Sequence, residues 1–168
     1  MVLPLAPAEP MALVLMPPLA VICLWVAWSD LKFMKIPNAA VLALGAVYLL
    51  LGPLVMPLSL WAWGWALGLV VLAAGLLSNA GGLIGAGDAK CAAAMAPFFA
   101  GADPRIVIFL LAGCLLAALA AHRLMGEVPA FRRATEDWSS WQAHDFPMGL
   151  ALAGAMLFYF GQGLPIWA

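Results

Sequence analysis

The chain has 168 residues, of which 67% are hydrophobic and only 9% are charged, and its formal net charge is -1. A soluble domain of this size keeps much more polar surface, so the composition excludes an ordinary soluble globular protein. The near-neutral charge favours neither a nucleic-acid partner nor a strongly acidic one. Because the apolar residues come in long blocks, we expect a membrane protein that contacts lipid.

The three cysteines lie in apolar stretches and form no C-x-x-C pair; they are Cys23, Cys91 and Cys114. This pattern predicts small buried hydrophobic side chains rather than a disulfide framework or a zinc site. We therefore expect no metal and no cofactor. The first ten residues contain no Lys or Arg, which predicts that the first apolar block is a retained membrane helix rather than a cleaved signal peptide.

Polar and glycine-rich stretches divide the chain into about six predicted membrane segments, which form a single all-α domain over residues 1–168. In chain order the segments span about residues 11–28, 39–56, 60–77, 82–100, 105–125 and 147–163. Pro17 and Pro18 predict a kink or a late helix start in the first segment.

The fourth segment is the least regular, because its apolar run, residues 91–100, is short. At about 1.5 Å per residue, that run cannot cross a hydrocarbon layer of about 30 Å. It crosses only if the helix begins near Gly82, which would place Asp88 within membrane depth. The alternative is a re-entrant half-helix that holds Asp88 near the interface.

The basic residues predict the orientation of the six segments. With six crossings, the loops after the first, third and fifth segments face the same side. These loops hold Lys32, Lys35, Lys90, Arg123, Arg132 and Arg133, whereas the other side holds only Arg105. Such an asymmetry predicts that the basic loops are cytoplasmic and that both termini are outside.

Two aspartates, Asp30 and Asp88, lie at the predicted cytoplasmic ends of their helices. Paired carboxylates can share one proton and activate a water that attacks a peptide bond. Gly85 and Gly87 would let a substrate backbone approach Asp88 closely. Each aspartate also has a simpler interpretation: Asp30 as an interfacial residue that ends a helix, and Asp88 as a helix N-cap.

These residues resemble the type 4 prepilin peptidase family. Asp30 is followed by I-P-N at residues 36–38, and Asp88 lies in G-A-G-D-A-K at residues 85–90. The resemblance implies an aspartyl endopeptidase of the bacterial inner membrane, with Asp30 and Asp88 as catalytic residues. It also implies that the substrate is a prepilin or pseudopilin, cleaved on the cytoplasmic side. The chain lacks the region with paired C-x-x-C motifs, so it looks like the short form of Flp-type, tight-adherence pilus systems, without methyltransferase activity.

The other motif residues, Gly85, Gly87 and Lys90, are candidates for substrate binding or for support of the motif. Lys90 has three possible partners: lipid phosphate, an acidic residue of the substrate, or water. Two other functions stay open on the sequence alone. One is a different G-x-G-D intramembrane protease, although no tyrosine precedes Asp30 or Asp88 as in the Tyr-Asp element of those enzymes. The other is a non-catalytic membrane subunit or a small transporter. The sequence predicts no oligomeric state for the protein.

Overall fold

A computed structural model describes residues 6–165 of the chain, and every regular element in that range is helical. The helices are α1 (Glu9–Phe33), α2 (Asn38–Val55), α3 (Leu58–Ala80), α4 (Ala86–Met95), α5 (Pro104–Gly126), α6 (Pro129–Ala134) and α7 (Met148–Gly161). Two short 3-10 helices, Ala96–Phe99 and Ser139–Trp141, follow α4 and α6. The prediction of an all-α membrane protein is confirmed.

Four of these helices, α1, α2, α3 and α5, are long and apolar enough to cross a membrane. The chain is therefore a multi-pass membrane protein. Helix α7 has 14 residues, and α4 has 10 residues that its 3-10 helix extends by four. Both are shorter than a full crossing requires at about 1.5 Å per residue. That α4 and α7 also cross the membrane, as six crossings require, thus stays a prediction.

The structure corrects two predicted helix starts. Helix α1 begins at Glu9 and continues through Pro17 and Pro18, so the late start is wrong. Helix α4 begins at Ala86, four residues after the predicted start, because residues 81–85 form a turn. Gly82 has a φ of +72°, a conformation that glycine adopts without strain. The Asn79 side chain donates a hydrogen bond of 2.8 Å to the carbonyl oxygen of Ile84 and closes the turn.

Helices α2 and α3 are joined by a reciprocal pair of hydrogen bonds. The Tyr48 hydroxyl donates to the carbonyl oxygen of Trp61 over 3.0 Å, and the Trp61 indole donates to the carbonyl oxygen of Tyr48 over 3.1 Å. Because both polar groups are satisfied, these aromatic side chains can be buried at low cost.

Glycines along one face of α3 let α4 pack closely against it. Gly64, Gly68 and Gly75 are all buried. A Cβ atom on Gly75 would lie 2.9 Å from the Cβ of Ala89 in α4. The G-x-x-x-G spacing at residues 64–68 is thus used within the chain, as small residues are in membrane helix pairs.

The core lies where α7 packs against α1 and α5, and where α4 packs against α2 and α3. Leu15, Tyr48, Phe98 and Phe160 are fully buried there. The three cysteines are free and buried, which confirms their predicted role as small core side chains. The end of α1 lies beside the starts of α2, α4 and α7, since Asp30 shares a cleft with Asn38 and Asp88 and accepts a hydrogen bond from Gly149.

Candidate active site

Asp30 lies in the last turn of α1 and is only 5% exposed. The chain leaves the helix at Met34, which has a φ of +52° and donates its N–H to the carbonyl oxygen of Asp30 over 2.9 Å. The Ser29 hydroxyl donates to the carbonyl oxygen of Lys35 over 2.8 Å. These two hydrogen bonds turn the chain sharply after α1, so residues 34–38 fold back beside Asp30.

Asp88 is the third residue of α4, and the N-cap of that helix is Gly85. The alternative interpretation of Asp88 as an N-cap is therefore wrong. The Asp88 side chain is half-buried and turns back toward Gly85, where a Cβ atom would lie 2.6 Å from its Oδ2. The absence of a side chain at Gly85 thus makes room for the Asp88 carboxylate itself.

The two carboxylates line one cleft of about 480 Å³ at the same end of the helix bundle. The cleft is lined by Asp30, Met34, Lys35, Ile36, Pro37, Asn38, Gly85, Ala86, Gly87, Asp88 and Lys90. Asp30 and Asp88 are close enough for their negative charges to repel each other. All of the site residues proposed from the sequence therefore meet in one cleft, although Asp30 and Asp88 are 58 residues apart in sequence.

The two sequence motifs lie next to each other in this cleft. A Cβ atom on Gly87 would lie 3.7 Å from the Cβ of Ile36, an ordinary contact distance. The fold therefore has room for a small side chain at Gly87, in contrast to Gly85. A glycine at residue 87 is not required by the packing of the protein itself.

Lys90 is exposed and lies where the cleft meets a second cavity. This second cavity is an apolar groove of about 250 Å³ between α2, α3 and α4, lined by Val41, Gly45, Tyr48, Trp65, Gly68, Leu69, Leu72, Lys90, Ala93, Ala94 and Pro97. The lysine is thus a fixed positive charge between a polar cleft and an apolar surface.

One residue of the site was not predicted from the sequence. The backbone N–H of Gly149, near the start of α7, donates a hydrogen bond of 2.7 Å to Oδ2 of Asp30. Gly149 and Asp30 are 119 residues apart, and no local pattern pairs them. The only signal was Pro147 before an apolar run, which indicates a helix start but no partner for it.

Residues 127–147 fold beside the site rather than extend from it. Lys32, near the end of α1, pairs with Asp137 over 2.9 Å, and its hydrogen bond holds the pKa of Asp137 below the usual value. Trp141 stacks on His122 with ring centroids 4.4 Å apart, and Arg132 lies 4.9 Å from the centre of the Trp141 ring. This segment is thus attached to both α5 and α1.

The arrangement suits hydrolysis by a water held between two carboxylates. A buried carboxylate and a half-buried one, with mutual repulsion, favour a state in which the pair holds a single proton. Such a state combines a base and an acid in one site. Within residues 6–165, no group of three His, Cys, Asp or Glu side chains gathers as a metal-ligand set would.

No curated protein and no solved structure matches the chain at a significant level. The sequence profile of the type IV leader peptidase family matches residues 18–121. That range is more than half of the chain and contains both aspartates, with most of α1 and α5 and all of α2, α3 and α4. The chain belongs to the type IV leader peptidase family, which is a family of proteases.

Proposed function

We propose that this protein is an aspartyl endopeptidase that removes the leader peptide of prepilin or pseudopilin precursors. The observation that carries the proposal is the shared cleft of Asp30 and Asp88 at one end of a multi-pass helix bundle. The match to the type IV leader peptidase family supports the class of substrate. The basic residues near this end, which include Lys32 and Lys35, support a cytoplasmic position for it.

In this mechanism the ionised carboxylate takes a proton from the water as its oxygen attacks the scissile carbonyl carbon. The protonated carboxyl donates its hydrogen to the carbonyl oxygen, so a neutral tetrahedral intermediate forms. The peptide C–N bond then breaks as the leaving nitrogen receives the proton taken from the water. The other carboxylate recovers its proton from the hydroxyl group of the intermediate, and the pair returns to its starting state.

The surroundings of the carboxylates support binding of an extended peptide. An extended segment needs partners for its backbone groups in or near lipid. The cleft offers a glycine-rich wall, Gly85 and Gly87, on the side of Asp88. Lys90 lies where the precursor would pass from the cleft toward the apolar groove, so we propose that it binds an anionic group of the substrate or a lipid phosphate.

The proposal includes the setting of the enzyme. We place it in the bacterial inner membrane as a single domain, with the cleft toward the cytoplasm. Its partners are the precursor and membrane lipid, and it acts without a cofactor. We also propose that the enzyme is the short form, without methyltransferase activity, that serves Flp-type pilus systems.

The test is cleavage of a candidate Flp-type precursor by the purified protein in lipid vesicles. We expect Asp30→Asn and Asp88→Asn each to abolish cleavage while the protein still accumulates in the membrane. The double variant should be scarcely worse than either single one, because members of a catalytic unit are strongly non-additive. The measurement is the ratio of uncleaved to mature subunit at equal amounts of enzyme.

Two other aspartates serve as controls. Asp103 caps α5, where it accepts the N–H of Arg105 over 2.9 Å, and Asp145 is exposed in the segment before α7. Because asparagine also caps helices, Asp103→Asn should be tolerated, and so should Asp145→Asn. Full processing by an Asp30→Asn or Asp88→Asn variant would remove that residue from the catalytic pair.

A further inference from the structure

The start of α7 forms the back of the Asp30 site. Pro147 is the N-cap, so Gly149 is the second residue of the helix, and its N–H has no acceptor within α7. Oδ2 of Asp30 accepts this N–H over 2.7 Å, and both residues are buried. The hydrogen bond thus satisfies two buried polar groups at once, the N–H of Gly149 and the carboxylate of Asp30. The partial positive charge of the helix start also stabilises a negative charge at this point.

The contact leaves no space for a side chain at residue 149. A Cβ atom on Gly149 would lie 2.9 Å from both Cβ and Oδ2 of Asp30, and 3.2 Å from its Cγ. Such distances are shorter than ordinary van der Waals contact, so α7 or Asp30 would have to move. The close approach of the two helices therefore depends on glycine at this position.

Gly149 lies outside the cleft, whose lining comes from residues 30–38 and 85–90. It therefore reaches the reacting groups only through Asp30. Among the described residues, Oδ1 of Asp30 receives no hydrogen bond. The hydrogen bond from Gly149 thus occupies one oxygen of the carboxylate and leaves the other for the catalytic water.

We propose that Gly149 is a positioning residue: its N–H fixes Oδ2 of Asp30, and its missing side chain lets α7 approach, so that Oδ1 is aimed at the water. This assignment rests on the catalytic role of Asp30 proposed above. It adds α7, which lies outside the range matched by the family profile, to the machinery of the site.

The first experiment compares three glycines of α7. A Cβ atom on Gly154 would lie 3.7 Å from Cys114, and one on Gly161 would meet nothing within 4 Å. Gly149→Ala should lower kcat for precursor cleavage by roughly tenfold to a hundredfold, since misplacement on the scale of about 1 Å costs about that much. Its KM should stay within about twofold of the original value, because residue 149 does not line the cleft in which the precursor would bind. Gly154→Ala and Gly161→Ala should keep both constants.

The second experiment needs neither cleavage nor a substitution at residue 149. In protein labelled with ¹⁵N glycine, the Gly149 amide of the original sequence should be protected from hydrogen exchange. Asp30→Ala should speed its exchange and move its proton resonance, whereas the Gly161 amide should not change. This measurement also decides the matter if Gly149→Ala fails to accumulate.

The outcomes separate this inference from the proposed function. Cleavage by Asp30→Asn would refute the catalytic role of Asp30, whatever the exchange data show. A Gly149 amide that is unaffected by Asp30→Ala, or a Gly149→Ala protein with the original kcat, would refute the positioning role. Equal losses of precursor binding and of kcat in Gly149→Ala would make the glycine a packing residue only, and would also overturn the proposal.

Discussion

The contact between Gly75 of α3 and Ala89 of α4 links membrane packing to the position of Asp88. Ala89 is 1% exposed and directly follows Asp88. In Gly75→Ala, the new Cβ would lie 2.9 Å from the Cβ of Ala89 and 3.2 Å from its Cα. Neither partner is the end of a flexible side chain, so the helices must separate. Ordinary contact begins at 3.4 Å, which requires a shift of about 0.5 Å at the start of α4.

Two opposing terms set the effect of Gly75→Ala on stability. Overpacking costs about 1–3 kcal/mol. The higher helix propensity of alanine returns about 1 kcal/mol. We therefore expect a net loss between about zero and 2 kcal/mol, which is less than the roughly 5–15 kcal/mol by which folded proteins are stable. We expect the cleavage rate to fall about tenfold, because a shift of about 0.5 Å at Asp88 is about half of one that costs about a hundredfold.

The assay measures melting temperature and cleavage rate for Gly75→Ala in the same lipid vesicles. Gly113→Ala on α5 is the matched control, since a Cβ atom there would meet nothing within 4 Å. It should keep its activity and gain slightly in stability. An original cleavage rate in Gly75→Ala, at unchanged stability, would refute the argument that α3 determines the position of Asp88.

Two further predictions concern the cleft and the orientation of the chain. Gly85→Ala should lower cleavage, because the new Cβ would lie 2.6 Å from Oδ2 of Asp88 and displace the carboxylate. Gly87→Ala should leave stability unchanged, because the fold has room for its Cβ atom. A loss of cleavage in this variant, measured as kcat and KM, would therefore report a clash with the substrate backbone. Original kinetics would contradict a close approach of the substrate backbone to Gly87. Reporters inserted near Ser139 should read cytoplasmic and those near Gly101 external, by the distribution of basic residues. A cytoplasmic signal near Gly101 would contradict the six-crossing topology.

Much of the site could be predicted because its residues lie in two short motifs. Asp30 with residues 36–38, and Asp88 with residues 85–90, are local in sequence, and each motif surrounds one aspartate. The order of apolar segments was enough to predict that the two helix ends share one side of the membrane. Each predicted segment corresponds to a helix, and the ends of α2 differ from the prediction by one residue.

What could not be predicted depends on contacts between distant residues. The start of α4 depends on the Asn79 hydrogen bond to Ile84 and on the φ of Gly82, which hydrophobicity does not encode. The 119-residue separation between Gly149 and Asp30 hides their hydrogen bond from any local pattern. Prolines normally predict helix interruption, yet Pro17 and Pro18 lie inside α1. Lipid-embedded helices tolerate such prolines, because neighbouring helices and local adjustments satisfy the freed backbone groups.

The positions of both carboxylates depend on glycines that allow close contact. Gly149 lets α7 reach Asp30, Gly75 lets α3 reach the residue after Asp88, and Gly85 leaves space for the Asp88 carboxylate. In a bilayer, lipid tails are as apolar as leucine side chains, so the hydrophobic effect does little to press helices together. Close packing then depends on small residues and hydrogen bonds. A site that needs two carboxylates held to within about 1 Å would accordingly tolerate changes among its exposed leucines much better than changes at these three glycines.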